Sequence, residues 1–540
     1  MKLRHSGLFV ALATAGLVGP SYVAYAAEQK LNLAALPMES VQQKQNDEAR
    51  ATTFKITAYQ FLGNQKVSSD ILRAVVAPFM GSNKSTQDLF AARAAILQAY
   101  SDAGYGLVAV GFPKQIAVDG VVNLRIVEIK PGKVRVTGNH KFSTANIRAQ
   151  LPALVDNELP NQDNLSRQLY LANDNPNRNI QMNFAQTNEP GVMDIELAVR
   201  ETNPLRFGIT LDSTGNKQSG YYRLGGIIYY SNLWDMGHIA ALSYTTSPEK
   251  PSQVQQVGLF YQIPLARLGD TVTFTASHSS IDNGLIANAF DISGRGDTVG
   301  AHYQHNLARD FYNKHVLDVG LDYRAYKNTI NFFGTNLGVD VNERPLSVGY
   351  QYSHNDAALE WGTGIGYVAN ISGGSRNNDA TYAASRAGAI ATWSLLRFNA
   401  AVKRRIQSDW ILSAAFDGQY ANDPLISGEQ YGIGGLRSVR GYEEREITGD
   451  SGTRLSVEVS TPRILEVNRF VAFADTGTMH RNNPQIGELS STTITGYGLG
   501  WRLGLKNGLN VNLDFAVAGN NGLITRRNQT STHLAAVWWF

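Results

Sequence analysis

From Pro204 to the end of the chain, apolar and polar residues alternate along most segments. The alternation is clear in five stretches, which are residues 318–324, 410–416, 454–460, 496–506 and 510–515. Successive side chains of a β-strand point to opposite faces, so a period of two over about ten residues is typical of a strand that crosses a bilayer. The pattern predicts a mainly β chain in which residues 205–540 form a transmembrane β-barrel.

A soluble β-sandwich would also alternate, but two features of this region favour the membrane. The face opposite the apolar one carries many charges and glycines, which suits a wet lumen better than a protein core. Aromatic residues gather at the ends of segments, as in Tyr221-Tyr222, Tyr229-Tyr230 and Trp538 to Phe540. Transmembrane barrels carry such aromatic girdles at both membrane interfaces.

The region before the barrel contains two copies of one module. Residues 63–69 (GNQKVSS) and 138–144 (GNHKFST) match at a constant offset. Each copy follows a strand-like run and includes a serine that can cap a short helix. A second helix and two strands complete each copy. The predicted elements are strands Phe54 to Phe61 and Lys133 to Val136, short helices Ser69 to Val76 and Thr144 to Leu151, long helices near 86–102 and 162–172, and final strands 121–127 and 194–199. The order β-α-α-β-β predicts one module over 54–129 and another over 130–204.

The first 26 residues form a secretory signal. Lys2 and Arg4 precede an apolar run from Gly7 to Val18, and Ala24-Tyr25-Ala26 has the form of a cleavage site. The run is shorter than the roughly 20 residues that a membrane anchor needs. Without Lys2 and Arg4 the formal net charge falls from +3 to +1, so no basic excess argues for a nucleic-acid partner.

Residues 27–53 are polar and mixed in charge. Pro37 can open a helix from Met38 to about Arg50, and a solvated linker is the alternative. The chain has no cysteine, which excludes disulfide and thiol chemistry. Beyond the signal no apolar run is long enough for a transmembrane helix.

One arginine of the barrel region lies on a glycine-rich loop. The segment from Tyr431 to Gly449 contains Val439-Arg440-Gly441-Tyr442, and its glycines allow tight turns and a close approach to a wall. Two carboxylates follow on predicted strands, Glu458 on a polar face and Asp475 between Phe473 and Gly477. A guanidinium can bind a carboxylate through two parallel hydrogen bonds. The pattern indicates a loop held inside the barrel, and an exposed surface arginine is the alternative.

These residues resemble the motifs of a known family. Residues 439–442 are similar to the lumen-loop tetrad of the two-partner secretion transporters, the TpsB family of outer-membrane proteins. Phe473-x-Asp475-x-Gly477 matches the second motif of that family, and Glu458 with Pro462 resembles the strand before it. The repeat over 54–201 is similar to two POTRA modules.

The resemblance implies a sixteen-stranded barrel, two POTRA-like periplasmic domains, an N-terminal plug helix and Arg440 in contact with Asp475 and Glu458 in the lumen. It also implies a pore that exports one large, dedicated TpsA-type exoprotein across the outer membrane of a Gram-negative bacterium. Other expected partners are the lipid bilayer and the barrel-assembly machinery, and the expected state is a monomer. The exported protein could be an adhesin, a haemolysin or a contact-dependent toxin. An insertase of other barrel proteins and a small-solute porin are the alternative functions.

Motifs that would indicate catalysis or a metal are weak. His302 and His305 are spaced so that a strand points them to opposite faces. Gly362-x-Gly364-x-Gly366 has no helix after it and is interpreted as a strand with small lumen-facing residues. Glu443-Glu444 is interpreted as solvated loop charge. We expect neither an enzyme nor a cofactor.

Overall fold

A computed structural model describes residues 53–115, 119–286, 290–332, 335–336 and 338–540. The predicted signal peptide and almost all of the predicted plug segment lie outside the described residues. The described chain divides into two compact units. One contains residues 53–202 and the turn 265–269, and the other contains the rest of 203–540.

The first module of the N-terminal unit packs two helices against a three-stranded sheet. Its elements are β1 (Phe54–Ile56), β2 (Ala58–Leu62), α1 (Ser69–Val76), β3 (Gly81–Lys84), α2 (Thr86–Asp102), β4 (Val108–Gly111) and β5 (Val121–Glu128), with a 3-10 turn at Ala77–Phe79. The sheet order is β2-β5-β4, with β2 and β5 parallel. The prediction of one strand from Phe54 to Phe61 is wrong. Thr57 interrupts it, because its amide donates to Gly120 O at 2.8 Å, and β1 pairs with β3 instead.

The second module repeats the architecture. Its elements are β6 (Lys130–Thr137), α3 (Thr144–Ala149), α4 (Gln162–Asn173), β7 (Arg178–Gln186) and β8 (Val192–Glu201). The sheet order is β6-β8-β7, again with its first strand parallel to the central one. Helix α3 ends before the predicted Leu151, since that residue precedes Pro152 and the α conformation is disfavoured there.

The repeated sequence forms the same loop in both modules. The Asn64 side chain donates to Val67 O at 3.0 Å, and in the second copy the Asn139 side chain donates to Phe142 O at 3.0 Å. A carboxylate from the last strand closes each loop. Glu128 accepts two loop amides at 2.7 and 2.8 Å, and Glu201 does so at 2.9 and 2.7 Å. The match between the two stretches therefore reflects one shared turn that joins a strand to a helix.

The second unit is a closed antiparallel barrel of sixteen long strands within the described residues. They are β9 (Leu205–Asp212), β10 (Arg223–Leu233), β11 (His238–Thr246), β12 (Val254–Leu265), β13 (Asp270–Ile286), β14 (Phe290–Arg309), β15 (Asn313–Phe332), β18 (Pro345–Asn355), β19 (Leu359–Asn370), β20 (Ser394–Arg405), β21 (Ile411–Ala421), β24 (Ser451–Ser460), β25 (Asn468–His480), β26 (Ser491–Gly504), β27 (Leu509–Ala518) and β28 (Thr530–Trp539). Strand β28 pairs with β9 and closes the cylinder. Shorter elements are β16 (Thr335–Asn336), β17 (Val341–Glu343), β22 (Tyr431–Ile433), β23 (Ile447–Gly449), α5 (Asp379–Ser385) and a 3-10 turn at Gln407–Asp409. The predicted sixteen-stranded fold is confirmed.

The apolar residues of the alternating stretches cover the outer surface of the barrel. Many of their side chains are 37–66% exposed, as in Val319, Leu321, Tyr323, Leu412, Phe416, Leu455, Val457, Val459, Tyr497, Leu499 and Phe515. An apolar surface of this extent needs a lipid neighbour. Among the described residues, every helix is too short or too polar to cross a membrane.

Because the number of strands is even, the barrel begins and ends at the same rim, here called the proximal rim. The opposite, distal rim carries two long connections. Residues 422–450, between β21 and β24, are called the lumen loop; β22 and β23 form its stem, and residues 434–446 form its tip. Residues 371–393, between β19 and β20, are called the α5 segment.

Candidate functional site: the lumen loop and the barrel wall

The lumen loop enters the barrel as a short hairpin. Strand β22 pairs with β23, with Ile433 opposite Ile447. Both isoleucines are fully buried and share an apolar cluster with Met479 and Ile494 of the wall. This packing against the interior wall holds the stem in the lumen, and the tip follows it inward.

Arg440 at the tip lies against the interior wall of the barrel. Its Nε and Nη2 donate to the two carboxylate oxygens of Asp475 at 2.7 and 2.8 Å, and its backbone amide donates to the same group at 3.1 Å. Its Nη1 donates to Glu458 at 2.6 Å and to Asp514 at 3.3 Å. The guanidinium carbon lies 3.5 Å from the centre of the Phe473 ring. One side chain thereby connects the tip to three strands of the wall, which are β24, β25 and β27.

Arg440, Asp475 and Glu458 thus form one group through the guanidinium, which lies within hydrogen-bonding distance of both carboxylates. Asp514 and Arg502 complete the group but were not singled out from the sequence. Arg502 donates to Asp514 and lies 3.7 Å from Glu458. Both missed residues occupy the polar face of an alternating strand. Their position in the alternating pattern was the one sequence feature that indicated a side chain in the lumen. The alternating pattern shows which residues of the strand face the lumen, but it does not distinguish Asp514 from the other polar residues on that face. Strand register decides which of them lies at the height of the tip.

The two other motif positions of β25 have structural roles as well. Phe473 provides the ring beneath the guanidinium, a cation–π contact. Gly477 leaves room for the tip, since a Cβ there would lie 2.9 Å from Val439 Cγ2 and 3.1 Å from Ile433 Cγ2. On the neighbouring strand, a Cβ on Gly496 would lie 1.8 Å from Arg440 O. The wall therefore carries glycine where the tip comes closest.

The residues around Arg440 fix the course of the tip. Val439 is fully buried. Gly441 has a φ of +102° and donates its amide to His533 Nε2 at 3.0 Å. The Tyr442 hydroxyl donates to Thr495 O at 2.9 Å. Each member of the tetrad thus has its own contact with the wall.

The charges of this site are largely shielded from water. The side chains of Arg440 and Asp475 are 6% and 0% exposed. Two cations, Arg440 and Arg502, face three carboxylates, so no cation lacks a partner. Loss of one partner from a buried pair typically costs about 3–5 kcal/mol, because the remaining charge is left uncompensated. The contact is strong enough to select one position of the tip.

The rest of the lumen loop is also held by buried carboxylates, which the sequence did not reveal. Glu429 accepts from Arg324 at 2.5 Å and from Arg397 at 3.1 Å. Glu446 accepts the amide of Thr525 at 2.9 Å and its hydroxyl at 2.5 Å. The lumen loop is therefore held to the wall at several positions along its length, and the Arg440 contact is one of them.

The interpretation of Glu443-Glu444 as solvated charge is wrong. Both residues are half-buried within the folded tip, and one carboxylate oxygen of Glu444 is enclosed. The reason is the inward course of the loop, which carries its polar residues into the lumen.

The two histidines do not form a common site. His302 contacts Asp318 at 2.9 Å, whereas His305 contacts Asp270 at 3.0 Å. Across the residues with described positions, no group of three or more metal-ligating side chains is arranged to hold a metal ion.

Comparisons with known proteins agree with this architecture. Residues 191–503 match the family described as haemolysin secretion/activation protein ShlB/FhaC/HecB, and residues 54–128 match the ShlB-type POTRA domain. The chain is 20% identical to the heme/hemopexin transporter protein HuxB of Haemophilus influenzae over 419 residues, which cover 75% of this chain and 72% of HuxB. It is 22% identical to the outer membrane transporter CdiB of Escherichia coli over 470 residues, 83% of this chain and 76% of CdiB.

The fold is similar to the solved structure of CdiB from Escherichia coli. The TM-score is 0.75 at 17% identity, and 93% of each chain is covered. The family match extends over more than half of the chain. This chain belongs to the ShlB/FhaC/HecB family of haemolysin secretion/activation proteins, the outer-membrane transporters of two-partner secretion.

Proposed function

We propose that this transporter recognises one large, unfolded exoprotein in the periplasm through its two POTRA-like modules and passes it through the barrel to the cell surface. The lumen loop is the observation that carries the proposal. Its tip is held inside the barrel by Arg440, and we expect a polypeptide to pass only after that contact is broken. A small-solute porin would have no use for a closing element of this kind.

Recognition would use the outer edge of the sheet in the second module, along residues 180–186 of β7. Within the described residues, β7 pairs with β8 alone. Its outer edge offers backbone groups that an extended polypeptide can pair with, without strict demands on its side chains. An apolar groove lies beside this edge, lined by Leu165 and Leu169 of α4 and by Met182 and Phe184 of β7. An unfolded segment would find both backbone and apolar partners there.

Passage would then require the tip to leave the wall. The interior groups that Arg440 releases, Asp475 and Glu458, would face water in the open lumen. Folding of the exoprotein outside the cell would give the movement its direction. Transport would proceed by conformational movement, without covalent chemistry and without a cofactor.

The finer assignments belong to the same proposal. The chain would act as a monomer in the lipid bilayer after insertion by the barrel-assembly machinery. Its parts would be a removed signal (1–26), a plug segment (27–53), two POTRA-like domains (54–129 and 130–204) and the barrel (205–540). The exoprotein would be an adhesin, a haemolysin or a contact-dependent toxin.

The test is quantitative proteomics of a deletion strain, with a strain complemented by the intact gene as its control. We expect one very large protein to disappear from the culture medium and the cell surface, while other outer-membrane proteins keep their levels. A broad loss of outer-membrane barrels would instead identify an insertase. A steadily open, solute-selective pore in planar bilayers would identify a porin.

A further inference from the structure

The distal end of the barrel interior contains an apolar core that the lumen-loop tip does not explain. Val368, Leu395 and Ala421 of the wall are buried in it. Tyr367 and Tyr420, their neighbours along the strands, are exposed on the outer face. Since adjacent strand residues point to opposite sides, the core must lie inside the cylinder.

The α5 segment fills this core. Tyr382, Ala389, Ala391 and Trp393 are all buried within it. The Asn370 side chain, at the end of β19, donates to Ala391 O at 2.7 Å. The segment is thus folded into the distal mouth and does not extend away from it.

The lumen loop reaches the same core from the other side. Leu425 and Ile426, near the start of the loop, are buried there with the α5 segment. The two distal connections therefore share one set of apolar contacts. Movement of either one exposes apolar side chains of the other.

Arg386 joins the two connections through polar contacts. It binds both carboxylate oxygens of Asp450, the last residue of the lumen loop, one of them at 3.0 Å, and donates to Leu425 O at 2.6 Å. It thereby contacts the loop near both of its ends. Asp450 is fully buried and also accepts the amides of Leu425 and Asn482 at 2.8 and 2.7 Å.

We propose that the α5 segment is a second closing element of the pore and that Arg386 is the residue that positions it. The tip would close the lumen against β24 to β28, and the α5 segment would close the distal mouth beside β19 to β21. Both would have to be displaced before a polypeptide leaves the barrel. The inference rests on the proposed function for its meaning, but the closure itself can be measured without any exoprotein.

Thiol labelling tests the position of the segment directly. The chain has no cysteine, so Ala391→Cys supplies a single reporter at a site that is 1% exposed. We expect this thiol to react slowly in the folded barrel and at least tenfold faster once Arg386→Gln is added. Ala383→Cys, on an exposed position of the same segment, should react rapidly in both backgrounds.

The matched control is Arg376→Gln. Arg376 lies in the same segment and pairs with Asp340 at 3.4 Å, but its side chain is 52% exposed. Exposed pairs contribute little, so this variant should leave the reporter protected. Equal labelling of the reporter with Arg386 and with Arg386→Gln, in barrels that keep their heat-modifiable migration, would overturn the proposal. So would equal acceleration by the control.

Single-channel recording in planar bilayers gives the functional readout. We expect Arg386→Gln to raise the mean conductance, and its combination with Arg440→Ala to raise it further than either change does alone. Conductance for the double variant equal to that of Arg440→Ala would show that the α5 segment does not obstruct the pore. If Arg386→Gln fails to assemble, Arg386→Lys keeps the charge and loses the two-pronged contact, and the same comparison applies. If Arg386→Gln raises the conductance but the deletion strain loses no secreted protein, closure by the α5 segment is supported and the proposed function fails.

Discussion

Replacement of Arg440 by alanine tests the central contact of the lumen loop. The change removes both side-chain hydrogen bonds to Asp475, the bond to Glu458 and the cation–π contact with Phe473. Asp475 keeps only the Ser456 hydroxyl at 2.6 Å and, while the tip stays docked, the backbone amide at 3.1 Å. A buried carboxylate is then left without a cation at bonding distance.

The expected magnitude follows from that loss. The Asp475 side chain is fully buried, and breaking a buried pair typically costs about 3–5 kcal/mol. Since each 1.4 kcal/mol changes an equilibrium about tenfold, the ratio of docked to undocked tip should fall by roughly two to three and a half orders of magnitude. Arg440→Lys should fall between the parent and the alanine variant, because an ammonium keeps the charge but cannot bind both oxygens in parallel.

Thiol labelling of Val439→Cys measures this ratio, since position 439 is fully buried only while the tip is docked. The rate at which this thiol is labelled should rise by about two orders of magnitude or more when Arg440→Ala is added. Arg437→Ala is the control: this arginine lies on the same tip, is 69% exposed and is 3.8 Å from Asp212. Secretion should fall sharply with Arg440→Ala, and the barrel should still assemble.

A double variant separates charge loss from packing loss. Arg440→Ala with Asp475→Ala leaves no carboxylate at that position, so the penalty should be smaller than the sum of the single changes. Parent-like labelling of Arg440→Ala in a folded barrel would refute the reasoning. It would mean that the apolar stem and the other tip contacts hold the loop without the arginine.

Two further predictions concern packing and pH. Gly477→Ala should raise labelling of Ile447→Cys, another fully buried position of the lumen loop, at least severalfold without any change of charge, because the new Cβ would lie 2.9 Å from Val439 Cγ2. Gly366→Ala, whose Cβ would meet nothing closer than 3.8 Å, should leave this labelling unchanged, and a larger effect of Gly366→Ala than of Gly477→Ala would contradict this account. In the first periplasmic module, burial and a 2.8 Å hydrogen bond to Glu128 raise the pKa of Tyr100. A raised pKa in the folded state means that this contribution to stability is complete below about pH 10, the unfolded value, and is lost as the pH rises beyond it. Limited proteolysis of the module should therefore accelerate more between pH 8 and pH 11 in the parent than in Tyr100→Phe, and an identical pH dependence would exclude Tyr100 as its source.

The sequence by itself determined the features that depend on neighbouring residues. The period of two reports strand geometry, so the succession of β-strands after Pro204 follows from local alternation. The repeated GNQKVSS and GNHKFST stretches specify one turn, since a glycine with positive φ and an asparagine bonded to the next backbone suffice to build it. The resemblance of residues 439–442 and 473–477 to a known family pointed to Arg440, Asp475 and Glu458.

Tertiary structure decided which distant groups meet. Asp514 reaches Arg440 across 74 positions of sequence, and Arg386 reaches Asp450 across 64. Such contacts depend on strand register, on closure of the cylinder and on the inward course of two long connections. A one-residue change of register would turn every side chain of a strand to the other face. Local patterns carry no information about that alignment, and for this reason the α5 segment and its arginine became visible only in the folded barrel.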